Sequence, residues 1–560
     1  MQLRDYQLAA AVSIGERLQA GVTRQLLKFA TGLGKTALFC ALPSKLGFVK
    51  RILVLDHREE LTSQAEDRLR VWNEGHPVGL EMGSRYSDEA RFVVAGVQTI
   101  GPKGSPRLAK FNPFDFDMLV VDEAHHATAT SYQNVINHFT RNPKLLLLGT
   151  TATPNRADGE GLNQVFEEIV DDKDILFGIN NGWLADLRGI RIRTGSNLDH
   201  VHKLAGDFDL GELANEVNTP ARNDLIVCEW MKHAQSRKTV AFCVDVQHTK
   251  DLAVAFKGRG ILAEAVWGGD PLRDQKLAHH RAGSLSVLTN CGILTEGYDD
   301  PGVGCIIMAR PTGSEGLYTQ ILGRGTRIPA DIDNLLTARR AGVPIVKDDC
   351  VVLDFVDATA RHSLVSLASL FGMPKADLKG RKISEVIAQL AAAKKTNPYL
   401  DISRVEDADK IKAYAQQVDL FKVSYPPEII QISSFKWHKM RENSYVVTLP
   451  PPREGMCVQR DLLGVWHAVG TIAGVFVHKK YNSLEPAIRK SDNQIEELCG
   501  NAITALIRRD PRWGKNGPSP KLRMFARRLN IVVQPGASGG EVSAKIKQVL
   551  AQNAARRQKG

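Results

Sequence analysis

The chain has 560 residues, 43% of them hydrophobic and 24% charged, with a formal net charge of +11. That length allows several separate cores, the composition is that of a globular protein rather than a disordered one, and no apolar run approaches the roughly 20 residues that span a bilayer. The 8 cysteines stand singly with no Cys-x-x-Cys pair, which argues against a zinc knuckle or a disulfide framework, and the positive balance suits a polyanionic partner.

The opening Met1-Gln2-Leu3-Arg4-Asp5-Tyr6-Gln7 has no apolar signal core, so export is not expected and the working place is read as the cytoplasm. From residue 25 onward short apolar runs alternate with amphipathic stretches. Gln25–Phe29, Arg51–Asp56, Phe92–Val97, Met118–Val121 and Lys144–Leu148 read as buried strands of a parallel sheet, which carries its functional loops at the carboxyl ends of its strands. After a polar stretch near 191–222 the rhythm restarts: Thr239–Val244, Ile261–Val266, Ser286–Thr289, Cys305–Met308 and Cys350–Phe355 predict a second such sheet. The expected fold is therefore α/β, two tandem doubly wound lobes over 1–190 and 191–370. A helical linker (371–430), a small β-rich module (431–495) and a basic helical tail (496–560) follow.

Three loops carry the chemistry. Ala30-Thr31-Gly32-Leu33-Gly34-Lys35-Thr36 follows the first strand and opens a helix, the context in which backbone N–H groups cradle phosphate. Lys35 would reach the β and γ phosphates of a nucleotide and Thr36 would take a Mg2+ position, although the strict pattern wants glycine where this chain has Phe29. Asp122-Glu123-Ala124-His125 ends an apolar strand with two carboxylates, Asp122 suited to Mg2+ and Glu123 to orienting and deprotonating a water. Gln320-Ile321-Leu322-Gly323-Arg324-Gly325-Thr326-Arg327 sets two arginines three apart, both able to meet a γ phosphate across a cleft. His126, His279 and His280 lack metal-ligand spacing and read as solvated or hydrogen-bonded histidines; Trp183, Trp230 and Trp267 read as core or packing residues.

Taken in order, these motifs resemble the superfamily-two DEAH-type helicases, within them the phage helicases and the motor subunits of type I and III restriction enzymes, over roughly residues 1–370. The resemblance implies RecA-like lobes, ATP and Mg2+ as cofactors, and movement 3′ to 5′ on one strand of DNA. It implies that Gln7 reads the adenine edge, that Thr31 to Thr36 hold the phosphates, that Asp299 of Glu296-Gly297-Tyr298-Asp299-Asp300-Pro301 lies near the ribose, and that Arg327 is the arginine finger, with Gln320 and Arg324 beside it. His57, Arg58, Gln98, Thr99, Thr151, Thr153 and Thr289 are the implied strand contacts. Further on, Arg512 and Trp513 sit in a basic stretch suited to phosphate contact and base stacking, and its layout resembles a tail module of phage helicases. No membrane partner is expected; a larger replication, recombination or restriction complex is. Two alternatives stay open: an RNA-stimulated relative, and a subunit that uses ATP only as a switch.

Overall fold

The computed structural model describes residues 2–57, 59–152, 162–204, 207–295, 297–329, 331–358, 364–396, 402–411, 427–441, 443–449, 455–461, 463–500, 504 and 507. By compactness the chain forms two units, one of Met1–Ala393, Asp401–Lys412 and Leu462–Gly464, the other of Lys394–Leu400, Ala413–Asp461 and Val465–Gly560.

The first unit holds two parallel sheets. Strands β1 (Arg24–Phe29), β2 (Arg51–Asp56), β3 (Val78–Glu81), β4 (Phe92–Gly96), β5 (Phe116–Val121), β6 (Leu146–Thr151) and β7 (Glu168–Lys173) run in the order β3-β4-β2-β5-β6-β1-β7. Their pairings are parallel throughout, which needs crossover connections, most of them carrying helices, and so buries the inner strands on both faces. That is why Leu146 to Thr151 are all buried, while the edge strand β7 is half exposed. The order places β6 between β5 and β1, so the loops after these three strands open side by side at the carboxyl edge of the sheet.

The second sheet uses β8 (Asp186–Asn197), β11 (Thr239–Phe242), β12 (Ala263–Val266), β13 (Val287–Asn290), β14 (Cys305–Met308) and β15 (Asp349–Ala358) in the order β12-β13-β11-β14-β15-β8; a short hairpin of β9 (Lys203–Leu204) and β10 (Asp207–Phe208) lies outside it. Strand β8 corrects the expected boundary. It runs through residue 190 and pairs with β15 from Asp186 onward, and the supposedly polar connector near 191–222 also holds the helix Leu210–Val217 and the start of the helix Pro220–His233. The start of the expected linker likewise belongs to this unit, since Lys382 Nζ lies 2.9 Å from Asp348 Oδ2 and Ser384 bonds Asp186.

In the second unit, β16 (His438–Arg441), β17 (Ser444–Thr448), β18 (Gly455–Arg460), β19 (Trp466–Ile472) and β20 (Val475–Tyr481) form an antiparallel meander in sequence order. The helix Leu484–Cys499 closes one face through Ala487, Ile488 and Ile495 against Trp437, Trp466, Ala468 and Val477. The β-rich module is thus as expected, except that the 495/496 boundary cuts this helix. Trp437 is its largest buried side chain, its indole donating to Asp492 at 2.8 Å. Of the eight cysteines, Cys40, Cys243, Cys305 and Cys350 are buried, whereas Cys228 is exposed.

One buried charge pair ties the second lobe together. Arg222 donates through Nε and Nη2 to the two oxygens of Asp357 at 3.1 and 3.0 Å, and through Nη1 to Ala309 O at 2.8 Å. Both residues are buried. Arg222→Met leaves the Asp357 charge without its partner, and should destabilise the protein by about 3–5 kcal/mol in urea unfolding; a loss under about 1 kcal/mol would mean water or another cation reaches Asp357.

Candidate active site

The phosphate-loop candidate leaves β1 under tight control. Ala30 N bonds Lys173 O at 2.8 Å and Leu33 N bonds Ala30 O at 3.1 Å, while Gly32 and Gly34 take φ of +91° and +75°, a region in which side chains are strained. Gly34 caps the helix Lys35–Lys45, which points its amino terminus into the loop. Gln7, buried in the helix Asp5–Gln19, donates from Nε2 to Leu33 O at 3.0 Å and Gly34 O at 3.3 Å, and Tyr6 donates to Leu33 O at 2.9 Å. The opening motif is thus fastened to the loop, and a Cβ at Gly34 would stand 2.4 Å from the Gln7 amide.

Opposite the loop, β5 delivers Asp122 and Glu123. Asp122 Oδ1 accepts from Thr150 Oγ1 at 2.5 Å and from Glu123 N at 3.0 Å. Glu123 sits in the left-handed region (φ +47°), a costly placement for a residue with a side chain, and its Oε1 lies 3.5 Å from Lys35 Nζ. His125 Nδ1 stands 3.4 Å from Glu123 Oε2, near enough for charge attraction but without hydrogen-bond alignment, so that Oε2 is buried with no hydrogen bond. The two carboxylates titrate apart. Burial opposes ionisation of Glu123, but Lys35, His125 and Arg324 outweigh it and hold the carboxyl well below the usual range; burial and the Glu123 charge push Asp122 up.

The second lobe meets this loop through the helix Glu315–Gly325. Gly323 packs on Thr31 so closely that a Cβ at 323 would lie 2.4 Å from Thr31 Cβ, and the Arg327 side chain runs past Gly32, its Cγ 3.8 Å from where a Cβ there would stand. The two arginines have different surroundings. Arg324 is buried and donates to Thr295 O at 3.1 Å and Tyr298 O at 3.0 Å; Arg327 pairs with Asp299, and its Nε is buried without a hydrogen bond. Gln320 is buried on the same helix, and Thr36 is half-buried at the start of the helix Lys35–Lys45. Asp299 also faces Arg68 of lobe one at 3.8 Å, and Gln64 Nε2 donates to Gly297 O at 2.5 Å.

Sequence reasoning missed Gln64, Arg68, Thr150 and Lys347. Lys347 is buried and donates to Pro301 O at 2.8 Å and to Arg327 O at 2.7 Å, and burial brings its amine down to about 8. Nothing in its sequence neighbourhood marks it. Of the strand-contact candidates, His57, Gln98 and Thr99 gather at the ends of β2 and β4, where Gln98 Nε2 donates to His57 O at 2.6 Å and Thr99 accepts from Gly83 N. Thr289 is corrected: it is fully buried and its hydroxyl donates to Thr249 O at 2.8 Å, so it offers nothing to a strand. Thr151 is likewise fully buried, as the last residue of a central strand. Arg58, Thr153, Arg512 and Trp513 lie outside the described residues. His280 is held by Tyr298 OH at 2.7 Å and Thr239 O at 3.1 Å, as a hydrogen-bonded histidine should be.

Residues 1–156 match the family described as "Type III restriction enzyme, res subunit". The Saccharomyces cerevisiae protein provisionally named ATP-dependent helicase IRC3 is 32% identical over 395 residues, 67% of this chain and 54% of that protein. The provisionally named mitochondrial ATP-dependent helicase irc3 of Schizosaccharomyces pombe is 33% identical over 384 residues, 67% of this chain and 60% of that one. Over its two lobes the chain is similar to these helicase-named proteins. A more distant relative, the type I restriction enzyme EcoAI endonuclease subunit of Escherichia coli, is 26% identical over 364 residues, 58% of this chain and 44% of its own. The chain spans between half and two thirds of the length of the two yeast helicase-family relatives.

The close approach of Thr31 and Gly323 gives this cleft a direct test. Gly323→Ala must push the lobes apart, because the atom it meets is a Cβ fixed to the loop rather than a movable side-chain end. At the 1–3 kcal/mol typical of overpacking, ATP turnover should fall about ten- to hundredfold while nucleotide binding to lobe one persists. Unchanged turnover would show that the close approach is dispensable.

Proposed function

We propose that the chain hydrolyses ATP between its two lobes and couples that cycle to moving along, unwinding or remodelling DNA. The observation that carries this reading is Arg327 of lobe two lying against Gly32 of the lobe-one loop, next to an acidic pair and a loop lysine. The residues present suit a nucleotide with Mg2+: Glu123 Oε2 and Arg327 Nε are buried polar atoms lacking a hydrogen bond, one fit to accept from a water and the other to donate to a phosphate.

In this reading Lys35 leaves Glu123 to countercharge the β and γ phosphates, and the loop amides from Thr31 to Thr36 bond their oxygens. Thr36 and Asp122 hold Mg2+, which when bound neutralises phosphate charge. Glu123 orients the attacking water and takes its proton. Arg327 spreads its planar charge over the γ-phosphate oxygens, Arg324 secures the chain at Thr295 and Tyr298 behind it, and Gln320 completes the lobe-two side. Gln7 serves the adenine and Asp299 the ribose. His57, Gln98 and Thr99 form the start of a strand track on lobe one.

DNA is favoured over RNA because the Escherichia coli relative is named as a restriction endonuclease subunit, and that name also supports membership of a larger complex. Among the described residues no helix is long and apolar enough to cross a membrane. A cytoplasmic setting is part of the proposal; the fission-yeast relative is named as mitochondrial.

Glu123→Gln should keep ATP binding and lower turnover by about two to four orders of magnitude; loss of binding instead would make Glu123 structural. Arg327→Ala should bind ATP yet lose about three orders of magnitude or more in hydrolysis. Measuring ATPase stimulation of the intact chain by single-stranded, duplex and branched DNA and by RNA tests the whole reading. Stronger stimulation by RNA would reassign the substrate, and no stimulation by any of them would end the motor proposal.

A further inference from the structure

The connection from the helix Leu335–Arg340 to β15 turns two neighbours against their chemistry: Val346 is 95% exposed, whereas Lys347 is 8% exposed. A lysine goes inside only where something meets its charge. Two main-chain oxygens do so here, Pro301 O accepting from its Nζ at 2.8 Å and Arg327 O at 2.7 Å. Pro301 follows Asp299 by two residues, and Arg327 stands two residues past the end of the helix Glu315–Gly325, where carbonyls without helical partners favour a cation. The carbonyl just before it, that of Thr326, accepts from Ala185 N at 2.7 Å.

Burial draws the Lys347 amine down to about 8; Cys350 and Asp300 oppose the fall, and the Arg327 and Arg237 charges add to it. The opposition is weak, because burial pushes the Cys350 thiol up to about 11 and Asp300 is already paired with Lys238 at 3.2 Å. Arg237 is paired with Asp349 at 2.7 Å, and burial draws Arg327 down only to about 10. Among these groups Lys347 is the one that changes charge between about pH 7 and 9.

We propose that Lys347 is a positioning residue for ATP hydrolysis: its ammonium ties the backbone of Arg327 to that of Pro301, so that the guanidinium meets the γ phosphate from a fixed base. The tie is strong only while the proton is present, since hydrogen bonds from a charged donor are roughly twice as strong as those from a neutral one. Loss of the proton loosens the backbone under Arg327 and leaves the lobe-one loop untouched. The inference rests on the reading that ATP turns over between the lobes.

The test measures the full chain at saturating ATP and Mg2+ over about pH 7 to 9, beside Lys347→Met and Lys347→Gln. Wild-type kcat should fall about five- to tenfold over this window, because activity that needs the protonated form is lost as pH rises through the pKa, while ATP still binds lobe one. Stability should move the other way. The folded amine releases its proton more readily than the unfolded one, so rising pH favours the folded state. In urea unfolding the folding equilibrium constant of the wild type, relative to that of either variant, should rise about tenfold across the window. Each variant should already have kcat reduced about five- to tenfold at pH 7 and should show no further fall up to pH 9. A wild-type profile without the fall, or a folded variant that keeps wild-type kcat or the same fall, would overturn the proposal. A gain in stability without loss of turnover would make Lys347 a structural residue and overturn it equally. If neither variant folds, the wild-type profile decides by the same criterion. A wild-type chain with no turnover at any pH would refute the proposed hydrolysis itself, whereas one that turns over at pH 7 and fails these outcomes refutes this inference alone.

Discussion

Gly323 has no side chain at the point where the lobe-two helix rests on Thr31, and a Cβ there would overlap the Thr31 Cβ at 2.4 Å. Much else in the first unit depends on that approach. Arg327 reaches Gly32 only a few residues from that approach, and elsewhere along the same lobe boundary Gln64 reaches the Gly297 carbonyl and Arg68 comes within 3.8 Å of Asp299. Attraction between charges weakens with distance and more steeply once water fills the gap. A cleft held open by one methyl group would weaken these interactions together rather than one by one.

The parallel sheets were readable because strands buried on both faces must be continuous apolar runs, and β2 and β14 begin and end where the composition says. Strand β8 was hidden for the converse reason. It is the edge of its sheet, its second half alternates charged and small polar residues (Arg191, Arg193, Thr194, Ser196), and its partner β15 is more than 150 residues away in sequence, so no local signal announces the pairing. The site shows the same division. Lys35, Asp122, Glu123 and Arg327 stand at strand ends and helix termini, in motifs that can be read from the sequence. Thr150 and Lys347 act through neighbours that only the fold supplies.

Asp354 shows how far the sequence can be taken at a residue without a motif. From the middle of β15 it accepts from Tyr318 OH at 2.5 Å and from Leu367 N at 2.9 Å, joining the strand to the helix that leads into the arginine pair. Burial lifts its carboxyl to about 6, so the two donors are what favour the charged form near neutral pH.

The same helix end is fastened from the other side. Arg324 holds the carbonyls of Thr295 and Tyr298, and Lys347 holds those of Pro301 and Arg327 with a single ammonium, which at a pKa of about 8 is still charged at neutral pH. The backbone that carries Asp299 and the backbone that carries Arg327 are therefore linked twice, by Arg324 from Arg327's own segment and by Lys347 from outside both. With both segments fixed, the Arg327 guanidinium can exchange Asp299 for another anion by rotating its own side chain, at no cost in backbone rearrangement. Preorganised charge of that kind acts most strongly where charge develops during a reaction, because the protein need not reorganise at that moment.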